Sequence, residues 1–475
     1  MSSTASPART IATIDPATGE ALASYEEHGS SAIDAALNRA TEAFTAWRAT
    51  SIPERSQALT SLAAALRARK SELATLATRE MGKTLMEAEA EVEKCALGCD
   101  HYASVGPSYI ANEAAPSTAS QSYIAYRPLG VLLAIMPWNF PFWQVFRAAA
   151  PAIMAGNVVV LKHAANVTGC ALEIERVFDA AGLPKGLLTT IVVSGRDMSA
   201  IVADPRIAAV TLTGSEGAGS AVAEIAGKHL KKTVLELGGS DAFVVLNDAN
   251  VAGAAAVAVR ARFQNNGQSC IAAKRFIVED GVYDAFLDAF VRETAKLRIG
   301  SPLDRETTLG PVARADLREA LDKQVRASLA AGAALAYGGT FVDRPGFFYE
   351  PTIVAEVTPG MPVFDEETFG PAAAVIRARD AEDAIALANR SPYGLGGNIW
   401  SRDTARAQAL AARIETGAVF INGMTASDPR LPFGGVKRSG YGRELSAFGI
   451  REFMNVQTIW IGPALGGAPA ATPAE

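Results

Sequence analysis

From Gly130 onward, short β-branched runs alternate with stretches of helical periodicity, and this alternation constrains the fold more than any other feature. The runs GVLLAIMP, NVVVLKH, LLTTIVV and IAAVTLTG are separated by helical patterns near residues 142–155 and 168–181 and by a shorter one before the last run. Apolar runs of this kind, each followed by a helix, are what a parallel sheet covered on both faces requires. The expected product is a doubly wound, Rossmann-like α/β unit. Beyond Gly239 the pattern resumes. DAFVVL, KRFIVE, TIVAEV and AAVIRA read as strands, with helices near 250–262, 281–296, 313–331 and 403–415, which predicts a second α/β domain.

The region before Gly130 has a different character. Apolar residues recur at helical spacing from about Ser31 to Ser104, and residues 106–128 then lose that period and read as an extended excursion. Val456–Ile461 is the last strand candidate. Residues 1–9 are expected to be loose, and the low-complexity residues 464–475 to be a disordered tail. A chain of 475 residues is too long for one simple core, so two or three units are expected.

The net charge of −6 argues against a nucleic-acid partner, which needs a basic face. The apolar runs are short and bounded by Gly, Pro or charge, so no membrane span is expected. The N-terminus lacks the basic and apolar regions of a secretory signal. The cysteines Cys95, Cys99, Cys170 and Cys270 form no CxxC and no Cys/His cluster, so no metal site is expected and a reducing cytoplasm suits them. Cys95 and Cys99 are one helical turn apart and read as packing residues.

Three segments carry candidate chemistry. FQNNGQSC (Phe263–Cys270) sets one cysteine in a polar loop, where a thiol gains nothing by packing. A thiolate is a strong nucleophile toward carbonyl carbon, and nearby backbone N–H groups can lower its pKa. VLELGG places Glu236 between apolar residues at a strand end, where a half-dry site would raise its pKa and suit it to general-base work; a structural ion pair is the alternative. The glycines that follow, Gly238 and Gly239, allow close backbone approach. MPWNFP (Met136–Pro141) offers the Asn139 amide, either as an oxyanion donor together with the Cys270 N–H or as a helix N-cap.

These segments, which follow one another along the chain in the family's order, together with further ones from about residue 10 to 460, resemble the aldehyde dehydrogenase family. The resemblance implies Cys270 as nucleophile, Glu236 as general base and Asn139 as oxyanion donor, with a thioester hydrolysed by water. It implies NADP or NAD as cofactor, held by Pro137, Trp138, Lys162, Ala165, Gly214, Ser215, Gly219, Leu237, Glu367 and Phe369. TGSEGAG (Thr213–Gly219) matches the family's phosphate turn at a helix N-terminus, and EETFGP carries the pair Glu367 and Phe369. One departure concerns cofactor choice. Ala165 stands where many NAD-preferring relatives carry Glu, so NADP is expected to be accepted.

KHAANV and PFGGVKRSGYGREL look most similar to bacterial succinate-semialdehyde dehydrogenases within that family, which implies Arg147, Ser427 and Arg430 as substrate-binding residues. Gln264 stands where some members have a second carboxylate-binding arginine, which leaves a broad-range medium-chain aldehyde dehydrogenase as the alternative. The intact ELGG motif argues against an acylating enzyme that passes the thioester to coenzyme A, and the filled catalytic positions argue against a non-catalytic homologue. The implied division is a discontinuous cofactor-binding domain at 1–109 and 129–238, a catalytic domain at 239–437, and an oligomerisation element at 110–128 and 438–463. That element predicts a homodimer or homotetramer, because an open strand edge needs a cover.

Overall fold

The computed structural model describes residues 9–463, so the expectations for the tail at 464–475 and for all but Arg9 of the loose start lie outside the described residues. The chain begins on an antiparallel pair, β1 (Thr10–Ile14) and β2 (Ala21–Glu26), joined through the turn at Asp15–Gly19. The periodicity gives no sign of this hairpin, because its strands bury little and β1 turns Thr13 rather than an apolar residue fully inward. The helical region then divides into α1 (Ser30–Trp47), α2 (Ile52–Ala68), α3 (Lys70–Met81) and α4 (Leu85–Tyr109). The breaks are chemical. Ser51 and Glu54 form a capping box, Gly82 ends α3 at φ +84°, and Thr84 caps α4 by accepting the Glu87 N–H. Helix α4 continues past the expected start of the excursion, to Tyr109, because Gly106 lets it pack directly on Met154.

The excursion itself is β3 (Glu113–Ala114) and β4 (Gln121–Pro128). The expected alternation follows as β5 (Val131–Met136), α5 (Trp143–Ala155), β6 (Val158–His163), α6 (Thr168–Ala180), β7 (Leu188–Ile191), α7 (Met198–Ala203), β8 (Ile207–Thr213), α8 (Glu216–Lys228) and β9 (Lys232–Glu236). These strands form a parallel sheet in the order β9-β8-β5-β6-β7, so the strand order reverses at β5. The crevice where ligands bind in open α/β sheets lies at the carboxyl ends of the strands beside such a reversal. Here that edge carries Pro137–Pro141, Gly214–Ser215 and Glu236.

The second alternating stretch gives β10 (Asp241–Val245), α9 (Val251–Phe263), β11 (Ala273–Glu279), α10 (Asp280–Thr294), α11 (Ala315–Ala330), β12 (Ala334–Tyr337), β13 (Thr352–Ala355), α12 (Pro362–Asp365), β14 (Ala372–Ala378), α13 (Ala381–Asn389), β15 (Tyr393–Gly394), β16 (Gly396–Trp400), α14 (Thr404–Ala411) and β17 (Ala418–Ile421). Its sheet runs β12-β13-β14-β11-β10-β16-β17 and is parallel except for β12. The mixed α/β, Rossmann-like class read from the sequence therefore holds in both halves. The chain then returns through β18 (Val436–Lys437), β19 (Gly440–Tyr441), α15 (Ser446–Glu452) and β20 (Met454–Ile461). β19 pairs antiparallel with β9, and β20 pairs with β4 along its whole length. No helix among the described residues is long and apolar enough to cross a membrane.

Candidate active site

The loop that presents Cys270 is held in an unfavourable backbone conformation by side chains from four directions. Asn265, Asn266 and Gly267 all have positive φ (55°, 57° and 74°), a region that Asn and Gly tolerate and other residues resist. The Asn265 N–H donates to Glu87 of α4 at 2.7 Å, and its side-chain Nδ2 donates to the Asn139 carbonyl at 2.8 Å. Asn266 Nδ2 donates to the carbonyls of Gly82 (2.8 Å) and Pro311 (2.9 Å). Arg262, fully buried at the end of α9, donates to the carbonyls of Gly267, Thr368 and Gly370 and so ties this loop to the one carrying Glu367 and Phe369. Lys274 donates to the carbonyls of Ser269 (2.9 Å) and Cys270 (2.8 Å) from the other side. Such strain persists only where the surroundings over-determine it.

Gly238 and Gly239 make the close approach that their pairing suggests. A Cβ on Gly239 would lie 2.7 Å from the Cys270 carbonyl, and one on Gly238 would lie 2.6 Å from Glu367 Oε2. The Gly239 N–H donates to Glu367 Oε1 at 2.9 Å. Asn139 is buried and directs Nδ2 to the Gln268 carbonyl at 3.1 Å, beside the nucleophile loop. Neighbouring His163 fixes that turn through a 2.8 Å bond between Nε2 and the Pro141 carbonyl, while its Nδ1 accepts the Ala164 N–H; burial keeps this imidazole neutral, down to a pKa of about 4.

Cys270 lines a cavity of about 230 Å³ together with Phe140, Trp143, Arg147 and Gln264. The sequence leads one to expect a lowered thiol pKa. The structure shows the opposite, a pKa pushed up to about 12, because desolvation of the thiol outweighs the pull of Arg147 and Lys274. Glu236 is buried with neither carboxylate oxygen hydrogen-bonded. Burial, and then the Glu444 charge, holds it well above the usual carboxylate range. Arg147 is likewise buried. Its Nε faces the Glu444 carboxylate, Nη2 reaches Thr213 Oγ1 at 3.3 Å, and the guanidinium stacks 4.7 Å from the Phe433 ring centroid.

The remaining candidates divide into those brought together and those kept apart. Trp138 and Phe369 meet edge to face, with centroids 5.6 Å apart. Lys162 is the penultimate residue of β6, with Ala165 exposed just beyond the strand; burial lowers the lysine pKa. Ser215 caps α8 by accepting the Ala218 N–H, and a Cβ on Gly219 would collide with Leu237 at 2.6 Å, so that glycine lets α8 lie against the strand end. Ser427 lines the cavity beside Gln264, whereas Arg430 does not line it and spends its guanidinium on Asp428, which accepts from Nε at 2.8 Å. Sequence reasoning missed Glu87, Glu91, Lys94, Lys274 and Glu444. A signal existed for those on α4, since Glu87, Glu91 and Lys94 recur at helical spacing on a helix that buries Ala88, Val92 and Cys95. Among the described residues no cluster of His, Cys, Asp or Glu can hold a metal ion.

The model of the aldehyde dehydrogenase family matches residues 3–459. The chain is 50% identical over 454 residues to succinate-semialdehyde dehydrogenase NADP(+) 1 of Mycobacterium tuberculosis, covering 95% of this chain and 99% of that one. It is 50% identical over 461 residues to the NADP(+) succinate-semialdehyde dehydrogenase of Mycolicibacterium paratuberculosis, covering 96% and 98%. Among solved structures it is similar to the succinic semialdehyde dehydrogenase of Streptococcus pyogenes in complex with NADP+, with a TM-score of 0.93 and 40% identity over 95% of this chain and 100% of that one.

Proposed function

The chain belongs to the aldehyde dehydrogenase family, and on that premise we propose that it oxidises succinate semialdehyde to succinate with NADP, through a covalent intermediate on Cys270. The observation that carries this reading is a single cavity joining the Cys270 thiol to the cations Arg147 and Lys94, in a chain half identical to enzymes of that name. Cys270 Sγ attacks the aldehyde carbon, and the thiol proton passes to Glu236, the nearby carboxylate whose raised pKa suits it to accept one. The Asn139 amide and the Cys270 N–H stabilise the oxyanion that forms. Loss of hydride from the same carbon leaves a thioester. Glu236 releases that proton to solvent and, ionised again, draws a proton from water; the hydroxide attacks the thioester carbon, the C–S bond breaks, and the acid departs as Glu236 returns the proton to the Cys270 thiolate.

The residues at the edge of the first sheet fit a dinucleotide. The first turn of α8, opened by Ser215, offers N–H donors to a pyrophosphate, and Lys162 offers a cation near the exposed Ala165, where no acid repels a 2′-phosphate. Glu367, Trp138 and Phe369 would hold the nicotinamide half, with Pro137 and Leu237 flanking it; the contact of Trp138 with Phe369 and the bond from the Gly239 N–H to Glu367 support this reading, and Gly214 and Gly219 would complete the phosphate turn. When bound, the nicotinamide supplies the hydride acceptor. The test is a set of initial rates with succinate semialdehyde and butanal, each with NADP and NAD. A preference of about 100-fold for the carboxylated aldehyde, or about 2.7 kcal/mol, supports the reading. Equal rates favour the broad-range alternative, and faster turnover with NAD contradicts the cofactor assignment.

A homodimer or homotetramer is the state we propose. β20 leaves one edge of its three-stranded sheet open and exposes Val456 (59%) and Trp460 (56%), which together ask for a cover. The four free cysteines support a cytoplasmic location.

A further inference from the structure

Almost every charge lining the cavity is already spoken for by the protein. Glu87 accepts the Asn265 N–H at 2.7 Å. Glu91 is paired with buried Lys83 and accepts the N–H groups of Phe142 (2.8 Å) and Trp143 (2.9 Å). Arg147 faces Glu444. Gln264 is neutral. Lys94 is the exception: its ammonium makes no ion pair among the described residues. It lies 4.5 Å from the Trp143 ring centroid and donates to Ser427 Oγ at 2.7 Å. Burial, and next the Arg147 charge, push its pKa down to about 8, the sign of a cation that its surroundings do not compensate.

The hydrogen-bond count at this corner points outward from the protein. An ammonium has three N–H donors, and Ser427 takes one of them. Ser427 Oγ also accepts the Trp143 indole N–H at 3.1 Å, so both its lone pairs are engaged and its own O–H is left to donate. Spare ammonium hydrogens and a spare hydroxyl hydrogen thus meet at one wall of the cavity that holds Cys270. That donor set matches a carboxylate, whose two oxygens accept several hydrogen bonds and whose charge neutralises the lysine. We propose that Lys94, together with Ser427, anchors the remote carboxylate of the substrate and so selects short aldehydes that bear a terminal acid. The inference rests on the proposed aldehyde oxidation at Cys270 and assigns its specificity to α4 rather than to α5. Arg147 contributes to the potential of the cavity, but Glu444 already takes its direct pairing.

The test compares kcat/KM for succinate semialdehyde and butanal in the NADP holoenzyme. Lys94→Met keeps an apolar stem against Trp143 and removes the charge. The ratio of the two specificity constants is expected to fall about 10- to 100-fold, the range for a charge-assisted hydrogen bond, and to fall through KM for the carboxylated aldehyde. Lys94→Arg is expected to restore most of the ratio. Ser427→Ala, which alters only a hydroxyl, is expected to lower the same ratio by less. A wild-type ratio retained in both Lys94→Met and Ser427→Ala overturns the inference and leaves the proposed reaction standing, as does an equal loss on both aldehydes. A wild-type enzyme that treats the two aldehydes alike overturns the substrate reading and this inference together.

Discussion

At the scale of single residues, the site sets a buried acid against a buried thiol. Both Glu236 oxygens lack a partner, so the carboxylate is poised for chemistry at the expense of stability. The sign of that expense follows from its raised pKa. The unfolded chain ionises Glu236 near its ordinary value of 4.5, while the folded chain holds the proton longer, so folding is progressively penalised as pH rises above that value. Glu236→Gln should therefore raise Tm, and the gain measured by scanning calorimetry should be larger at pH 9 than at pH 5; a gain that shrinks with pH would contradict the raised pKa. Cofactor choice also belongs to this scale. Ala165→Glu would place a like charge near the 2′-phosphate, and like-charge contacts cost several kcal/mol, so the NADP-to-NAD ratio of kcat/KM should fall more than about tenfold. An unchanged ratio would place the 2′-phosphate elsewhere.

Among the elements, α4 organises the site more than the strands do. Glu91 accepts the N–H groups of Phe142 and Trp143, one on each side of the start of α5, and neutralises Lys83, while Glu87 holds the nucleophile loop through Asn265. Glu91→Ala would leave Lys83 buried and unpaired, a change that typically costs about 3–5 kcal/mol. We expect a clearly lower Tm and a lower kcat, with the double variant Lys83→Met/Glu91→Gln recovering part of the Tm; no recovery would show that the backbone contacts, not the ion pair, carry the effect. This is also where the sequence was least informative. Glu236, Cys270 and Asn139 are legible because each sits in a short motif whose chemistry is local. Glu444 and Lys94 acquire meaning only once α15 and α4 are folded against α5, since their partners Arg147 and Ser427 lie in distant segments.

At the scale of the whole molecule, the alternation from Gly130 predicts a parallel sheet and then a second α/β unit, and both form, the second sheet being parallel except for β12. What the periodicity could not convey is the return of the chain after residue 437, where β19 joins the first sheet and β20 extends β4, because pairing between distant strands leaves no local pattern. The open edge of β20 makes the oligomer testable. Sedimentation velocity should find a dimer or tetramer at micromolar concentration, and the double change Val456→Asp/Trp460→Asp, on the exposed side of β20, should shift it toward monomer. A wild-type monomer would contradict the proposed assembly.

The proposed reaction passes through a succinyl thioester on Cys270, which water activated by Glu236 would hydrolyse. Intact-mass measurement of the wild-type enzyme, quenched in acid while it turns over saturating succinate semialdehyde and NADP, tests this directly, because acid stops hydrolysis and preserves the acylated fraction. The expected result is a mass gain of about 100 Da that maps to Cys270 and is absent in Cys270→Ser. No gain, or a gain that persists without the thiol, would contradict it.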